Sequence, residues 1–157
     1  MLLEGSCHCG AVKFTVESNT PQPYQRCYCS VCRKTSGGGG YAINLMAWSK
    51  TLKVTGERNA GLYHAIIDGE ESEAERRFCK RCGSPLWLYD PRWPDLIHPV
   101  ASAIDTPLPK PKAHTHVLLD SKASWVEVPT GRGHQRFARY PELSIEDWHR
   151  KNGEWVE

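Results

Sequence analysis

The segments Gly5-Ser6-Cys7-His8-Cys9-Gly10 and Phe78-Cys79-Lys80-Arg81-Cys82-Gly83 decide the fold, because each holds two cysteines followed by a glycine. A tight metal-holding turn often needs a positive φ after its last ligand, and glycine adopts it without steric cost. Two such pairs from distant parts of the chain are typical of a closed, tetrahedral four-cysteine zinc site. We therefore predict a structural zinc bound by four thiolates, those of Cys7, Cys9, Cys79 and Cys82.

The geometry of the first pair follows from its spacing. Cys7 and Cys9 are two residues apart, so on a strand both side chains point to the same face. The predicted site would tie the first strand to the middle of the sheet, and loss of zinc would unfold it.

A second cluster lies in Cys27-Tyr28-Cys29-Ser30-Val31-Cys32 and uses the remaining three of the seven cysteines. Three protein ligands and an open position distinguish catalytic zinc from structural zinc. Three thiolates would make the metal a weak Lewis acid that accepts a fourth sulfur, which favours thiol chemistry over water activation. Two alternatives to a zinc site with three protein ligands stay open. The cluster could be reduced and hold no metal, or one of the seven histidines could supply a fourth ligand.

Composition and charge exclude several classes of protein. The chain has 157 residues, 39% hydrophobic and 24% charged, with a formal net charge of +2. This balance gives no electrostatic reason to expect nucleic acid or a membrane surface as a partner. No apolar run is long enough to span a bilayer, and the first residues do not form a signal peptide. We expect a cytoplasmic protein with reduced thiols, which suits metal binding better than disulfides.

Strand signals dominate the chain, and they predict a mainly β fold in one domain covering residues 1–157. Ser144 to Asp147 form a capping-box pattern that predicts a short C-terminal helix ending at Asn152-Gly153. A short helical turn after Cys29 is also compatible with the sequence. The predicted strands are Ala11–Glu17, Tyr41–Leu45, Leu52–Thr55, Leu62–Ile67, Leu86–Tyr89, Pro99–Ile104 and Trp125–Val128.

The three cysteine motifs, in this order and with these flanks, closely resemble the glutathione-dependent formaldehyde-activating enzyme family. The segment Ala103-Ile104-Asp105-Thr106-Pro107 is similar to a later Leu-Asp-x-Pro motif of that family. The resemblance covers roughly residues 4–128. It implies a β-tent-like fold of bent antiparallel sheets around zinc, and a carbon–sulfur lyase that joins formaldehyde and glutathione into S-hydroxymethylglutathione.

The resemblance also assigns roles to residues. It makes Cys7, Cys9, Cys79 and Cys82 the structural zinc ligands, and Cys27, Cys29 and Cys32 the catalytic ones. Because glutathione carries two carboxylates, its pocket should offer cations, and Arg33 and Lys34 directly follow the cluster, with Arg81 as a further candidate. The chain departs from the family at Tyr28, at Ser102 and in the run Gly37 to Gly40. Three interpretations of the glycine run stay open: it lets the backbone of a ligand approach closely, it forms a mobile lid, or it is an ordinary flexible loop.

A second hypothesis is a non-catalytic, zinc-stabilised module that binds another protein. Its second cysteine cluster would be empty or redox-sensitive. The basic residues Arg132, Arg136 and Arg139, with His134, would then mark the partner surface. Nucleic acid is a poorer third option, because the charge is nearly balanced. The sequence leaves the oligomeric state open.

Overall fold

A computed structural model describes all residues from 1 to 157. The mainly β prediction, with antiparallel sheets and a short C-terminal helix, is confirmed. None of the helices has the length and hydropathy needed to cross a bilayer. In chain order the elements are β1 (Leu2–Ser6), β2 (Lys13–Glu17), β3 (Gln25–Cys27), α1 (Ser30–Ser36), β4 (Ala47–Trp48), β5 (Lys53–Thr55), β6 (Ala60–Tyr63), β7 (Ile66–Ile67), β8 (Glu70–Glu71), β9 (Glu75–Cys79), β10 (Pro85–Tyr89), β11 (Leu96–Pro99), β12 (His114–Val117), β13 (His134–Arg136) and α2 (Ile145–Asn152).

Two antiparallel sheets enclose the main core. One has the order β1-β2-β5 and the other the order β4-β11-β10-β9-β6. In β1 and β2 buried side chains alternate with more exposed ones, as in β2, where Phe14 and Val16 are buried and Thr15 between them is only half-buried. The inward side chains form a cluster of 12 buried residues that includes Cys7 and Cys79. Two of the seven cysteines therefore lie where the two sheets meet.

The third sheet departs from the antiparallel prediction, because its order is β13-β12-β3 and both pairings are parallel. β12 aligns Val117 with Cys27, and the backbone N–H of Tyr28 donates to the carbonyl of Val117 at 3.1 Å. This pairing holds the start of the three-cysteine segment against a strand almost 90 residues later in the chain. The remaining sheet is the hairpin of β7 and β8.

Several strand predictions are wrong in detail. Pro99–Ile104 contains the end of β11 and then a 3-10 turn at Ala101–Ala103, and Trp125–Val128 contains no strand. In that last segment Val126 is buried because it packs against the loop at Gly40. Its apolar side chain therefore gives the alternating pattern of a strand although no strand is formed. Tyr41–Leu45 makes only isolated bridges, whereas the polar strand β9 was missed.

The C-terminal helix α2 begins and ends as the sequence predicts. The Ser144 side chain accepts a hydrogen bond from the N–H of Asp147 at 3.0 Å, and Gly153 ends the helix at a φ of 66°. The Trp148 ring stacks on Tyr24 with 3.6 Å between centroids and is only 5% exposed. This contact fixes the tail to the segment that leads into β3.

We expect Trp148→Ala to lower the free energy of unfolding by about 3–5 kcal/mol, because it removes a buried aromatic side chain and its stacking partner. Urea titration followed by circular dichroism measures this change. Trp93→Ala is the matched control, since Trp93 is 63% exposed and its loss should change the same quantity by about 0.5 kcal/mol or less. Equal effects of the two substitutions would show that α2 does not pack as described.

Candidate metal centres

Four thiols converge between the two antiparallel sheets. The Sγ atoms of Cys7, Cys9, Cys79 and Cys82 all lie within 4.8 Å of one another. Cys7 and Cys79 are buried, whereas Cys9 and Cys82 are exposed. Four sulfur atoms at such distances form a donor set that can hold one metal ion, with no position left for a substrate.

Two tight turns position these sulfurs. The chain turns after β1, where Gly10 has a φ of 75° and its N–H donates to the carbonyl of Cys7 at 3.0 Å. It turns again between β9 and β10, where Gly83 has a φ of 77° and its N–H donates to the carbonyl of Cys79 at 2.8 Å. The predicted need for glycine after each pair is therefore confirmed.

The reason given for the first pair is wrong, although the sulfurs do meet. β1 ends at Ser6, so Cys7 and Cys9 lie in a turn and not on one face of a strand. Their Sγ atoms are 3.6 Å apart. Backbone N–H groups also approach the sulfur, as that of Val12 donates to Cys7 Sγ at 3.3 Å. The turn produces the convergence that strand geometry was expected to produce.

The Sγ atoms of Cys27, Cys29 and Cys32 also lie within 4.8 Å of one another, with no histidine or carboxylate in the group. Cys27 ends β3, and Cys29 caps α1 by accepting a hydrogen bond from the N–H of Cys32 at 3.2 Å. The helical turn that the sequence allowed after Cys29 is thus present as α1. Cys32 is buried, whereas Cys27 and Cys29 are half-buried, so this three-thiol cluster is open on one side.

Two side chains far away in the sequence contact Cys32. The Asn44 amide donates to Cys32 Sγ at 3.5 Å, and the Arg76 guanidinium donates to it at 3.8 Å. Hydrogen bonds from Cys27 and Cys29, with the charge of Arg76, hold the pKa of the Cys32 thiol far below its ordinary value. Hydrogen bonds with Cys29 and Cys32, together with burial, raise the pKa of the Cys27 thiol. The cluster therefore concentrates negative charge on Cys32.

Tyr28, the residue between the first two cysteines, is a core residue. Its ring is fully buried, and its hydroxyl lies 2.8 Å from Nδ1 of His116, whose Nε2 lies 3.0 Å from Nδ1 of His134. Burial, reinforced by the positive charge of Arg26, lowers the pKa of His116 to about 4. A neutral His116 can therefore accept from Tyr28 and donate to His134 in one chain of hydrogen bonds.

The glycine run next to α1 is required by packing at two positions. A Cβ at Gly37 would lie 2.1 Å from the carbonyl oxygen of Tyr41, and a Cβ at Gly40 would lie 2.3 Å from the side chain of Val126. Gly40 also has a φ of 88°, and its N–H donates to the carbonyl of Gly37. These contacts describe a tight turn packed on the protein, and Gly38 alone is free of neighbours.

The side chains of Arg33, Lys34 and Arg81, singled out in the sequence, make no hydrogen bond to either cluster, although the backbone N–H of Arg33 donates to the carbonyl of Cys29 at 3.0 Å. Arg33 and Lys34 lie in the last turn of α1, and the Nε atom of Arg33 is buried without a partner, whereas Lys34 is exposed. Arg81 is exposed in the turn between β9 and β10. Asp105 accepts a hydrogen bond from the Ser6 hydroxyl at 2.6 Å, so it ties the end of β1 to the segment that follows the 3-10 turn at Ala101–Ala103.

The donor sets fit zinc. Thiolates are soft ligands, and four or three of them suit a tetrahedral Zn²⁺ far better than Mg²⁺ or Ca²⁺. Asn44 and Arg76, which donate to Cys32 Sγ, also favour the thiolate form of Cys32, and the thiolate is the form that binds a metal. The fold and the site together define a mainly β protein with two cysteine clusters that can each hold a metal ion.

The comparisons with known proteins agree with this class. Residues 2–119 match the family model described as glutathione-dependent formaldehyde-activating enzyme, and the chain belongs to this family. A protein of Halomonas elongata, provisionally named as such an enzyme, is 56% identical over 153 residues, which is 98% of each chain. A crystal structure of a Rhodobacter sphaeroides protein matches with a TM-score of 0.54 and 30% identity, covering 68% of this chain and 91% of that one.

We expect Cys79→Ser to remove one metal equivalent and to lower the free energy of unfolding by roughly 3 kcal/mol or more, because it breaks the closed site between two sheets. Cys29→Ser is the matched change in the other cluster, and it should remove one equivalent while the fold persists. Elemental analysis and thermal unfolding of protein purified under reducing conditions measure both quantities. Retention of both equivalents in either variant would contradict the assignment of that cluster.

Proposed function

We propose that this chain is a zinc-dependent carbon–sulfur lyase acting on a thiol–aldehyde adduct. The reaction is the formation of S-hydroxymethylglutathione from formaldehyde and glutathione, or the formation of a related adduct. The observation that carries the proposal is the three-thiol cluster, which has two half-buried members and no fourth protein ligand. The names of the family and of the Halomonas elongata relative support glutathione and formaldehyde as reactants.

In this proposal Cys27, Cys29 and Cys32 hold a catalytic zinc, and Cys7, Cys9, Cys79 and Cys82 hold a structural one. When bound at the open cluster, zinc supplies positive charge that favours the thiolate form of a reacting thiol. Arg76 and Asn44 hold Cys32 in place by donating hydrogen bonds to its sulfur. The two residues also offset the negative charge of the cluster, because one is a cation and the other a fixed dipole.

The reaction balances without an oxidant. The thiol sulfur adds to the aldehyde carbon, the carbonyl π bond breaks, and the proton of the thiol ends on the former carbonyl oxygen. Arg33 and Lys34 stay our proposal for binding the carboxylates of glutathione, since both follow the cluster on α1. We place the reaction in the cytoplasm, where the thiols of the protein and of glutathione are kept reduced.

The test is to mix formaldehyde and glutathione with the zinc-loaded protein and to follow S-hydroxymethylglutathione by NMR exchange spectroscopy. We expect the exchange to be at least about tenfold faster than without protein. Cys29→Ser should abolish the acceleration and leave circular dichroism unchanged. Protein with two zinc equivalents that accelerates no thiol–aldehyde pair would contradict the lyase and favour a zinc-stabilised binding module.

Arg76 provides a second prediction. Arg76→Gln should lower kcat by about tenfold, because the cation beside the Cys32 sulfur is lost and the charge of the cluster is less well balanced. Arg58→Gln changes an exposed arginine outside the site and should leave kcat as it is. Zinc content is measured in parallel, so that loss of metal is distinguished from loss of rate. A variant at Arg76 with the full rate would exclude this role.

A further inference from the structure

An apolar recess lies beside the three-thiol cluster. Its volume is about 300 Å³, and six of its 13 lining residues are hydrophobic. β6, β9 and β10 form its walls, and the end of α1 closes one side. The hydrophobic lining residues are Leu62, Tyr63, Phe78, Trp87, Leu88 and Val100.

This recess and the cluster share two side chains. Asn44 and Arg76 line the recess, and both donate hydrogen bonds to Cys32 Sγ. A ligand with its sulfur at the cluster would therefore lie next to the recess, because only the side chains of Asn44 and Arg76 separate the two. The Oδ1 atom of Asn44 is buried and has no hydrogen-bond partner, so an acceptor at this boundary is unused.

The charges of the recess exclude a zwitterionic occupant. Its charged lining residues are Arg76 and Arg77, and no carboxylate is among the lining residues. Arg77 is already paired with Glu75 at 3.0 Å, and Arg76 is turned toward Cys32. An ammonium group such as that of glutathione would lose its hydration here without gaining a partner. The γ-glutamyl end of glutathione therefore belongs outside this recess.

The mouth of the recess is apolar as well. Leu62 and Tyr63, both on β6, are 45% and 44% exposed although they are large hydrophobic residues. Such exposure at the edge of a cavity is typical of a binding site for an apolar group, because a ligand there removes apolar surface from water. Formaldehyde adds only one carbon to a thiol and would leave most of the recess empty.

We infer that this recess binds the apolar substituent that an aldehyde larger than formaldehyde contributes to a thiol adduct. The inference rests on the proposed function in one respect, since the adduct's sulfur is placed at the three-thiol cluster. The substrate class then extends to hydrophobic aldehydes, aromatic ones included. The addition is the same as before: a carbon–sulfur bond forms, the carbonyl π bond breaks, and the thiol proton ends on oxygen.

The test uses two non-reactive thioethers that differ only in the group on sulfur, N-acetyl-S-benzylcysteine and N-acetyl-S-methylcysteine. Calorimetry with the zinc-loaded protein should show the benzyl compound binding about tenfold more tightly, because its ring is removed from water. Leu62→Asp should abolish this preference, since it places a charge on the recess wall. Ser36→Phe should also abolish it by filling the recess from α1.

Ile66→Asp is the matched control. Ile66 is 56% exposed on β7, close to Leu62 in the chain, but it does not line the recess, so the preference should persist. Equal binding of the two thioethers, binding of neither, or a preference that survives Leu62→Asp and Ser36→Phe would overturn the inference. Turnover of formaldehyde and glutathione, assayed separately, decides the proposed function, so either idea can fail while the other stands.

Discussion

The structure depends on bringing four sulfur atoms together where two sheets meet. The sulfur atoms of Cys7, Cys9, Cys79 and Cys82 lie within 4.8 Å of one another, so as thiolates they would repel one another unless a cation lay between them. A metal ion converts this repulsion into a cross-link. One of the two turns that carry the sulfurs follows β1 and the other joins β9 to β10, so an ion bound there would link the two sheets.

The two clusters use the same ligand type in different surroundings. The four-thiol cluster is supported within its own turns, by backbone N–H groups and by the Ser84 hydroxyl, which lies 3.2 Å from Cys82 Sγ. The three-thiol cluster instead borrows Asn44 and Arg76 from other parts of the fold and borders an apolar recess. Closure suits a structural role, and openness beside a cavity suits contact with a small molecule.

Local signals in the sequence were sufficient for much of the site. Cysteine spacing predicted the two groups of thiols that the structure brings together, and the capping residues Ser144 and Gly153 gave the ends of α2. The contact of Arg76 with Cys32 could not be predicted in this way, because the two residues are 44 positions apart in the chain. In addition, Arg76 lies on β9, which has too many charged residues to give a strand signal. The parallel pairing of β3 with β12 was missed for a similar reason, since only tertiary packing brings these strands together.

The spacing of the two clusters along the chain sets an order for assembly. The three-thiol cluster is complete within residues 27–32, whereas Cys9 and Cys79 of the other are 70 residues apart. Closing the short loop costs less chain entropy, and during synthesis its ligands emerge long before the last pair. A nascent chain can therefore capture metal first at the open site. The sheets reach their final arrangement only after Cys82 has left the ribosome.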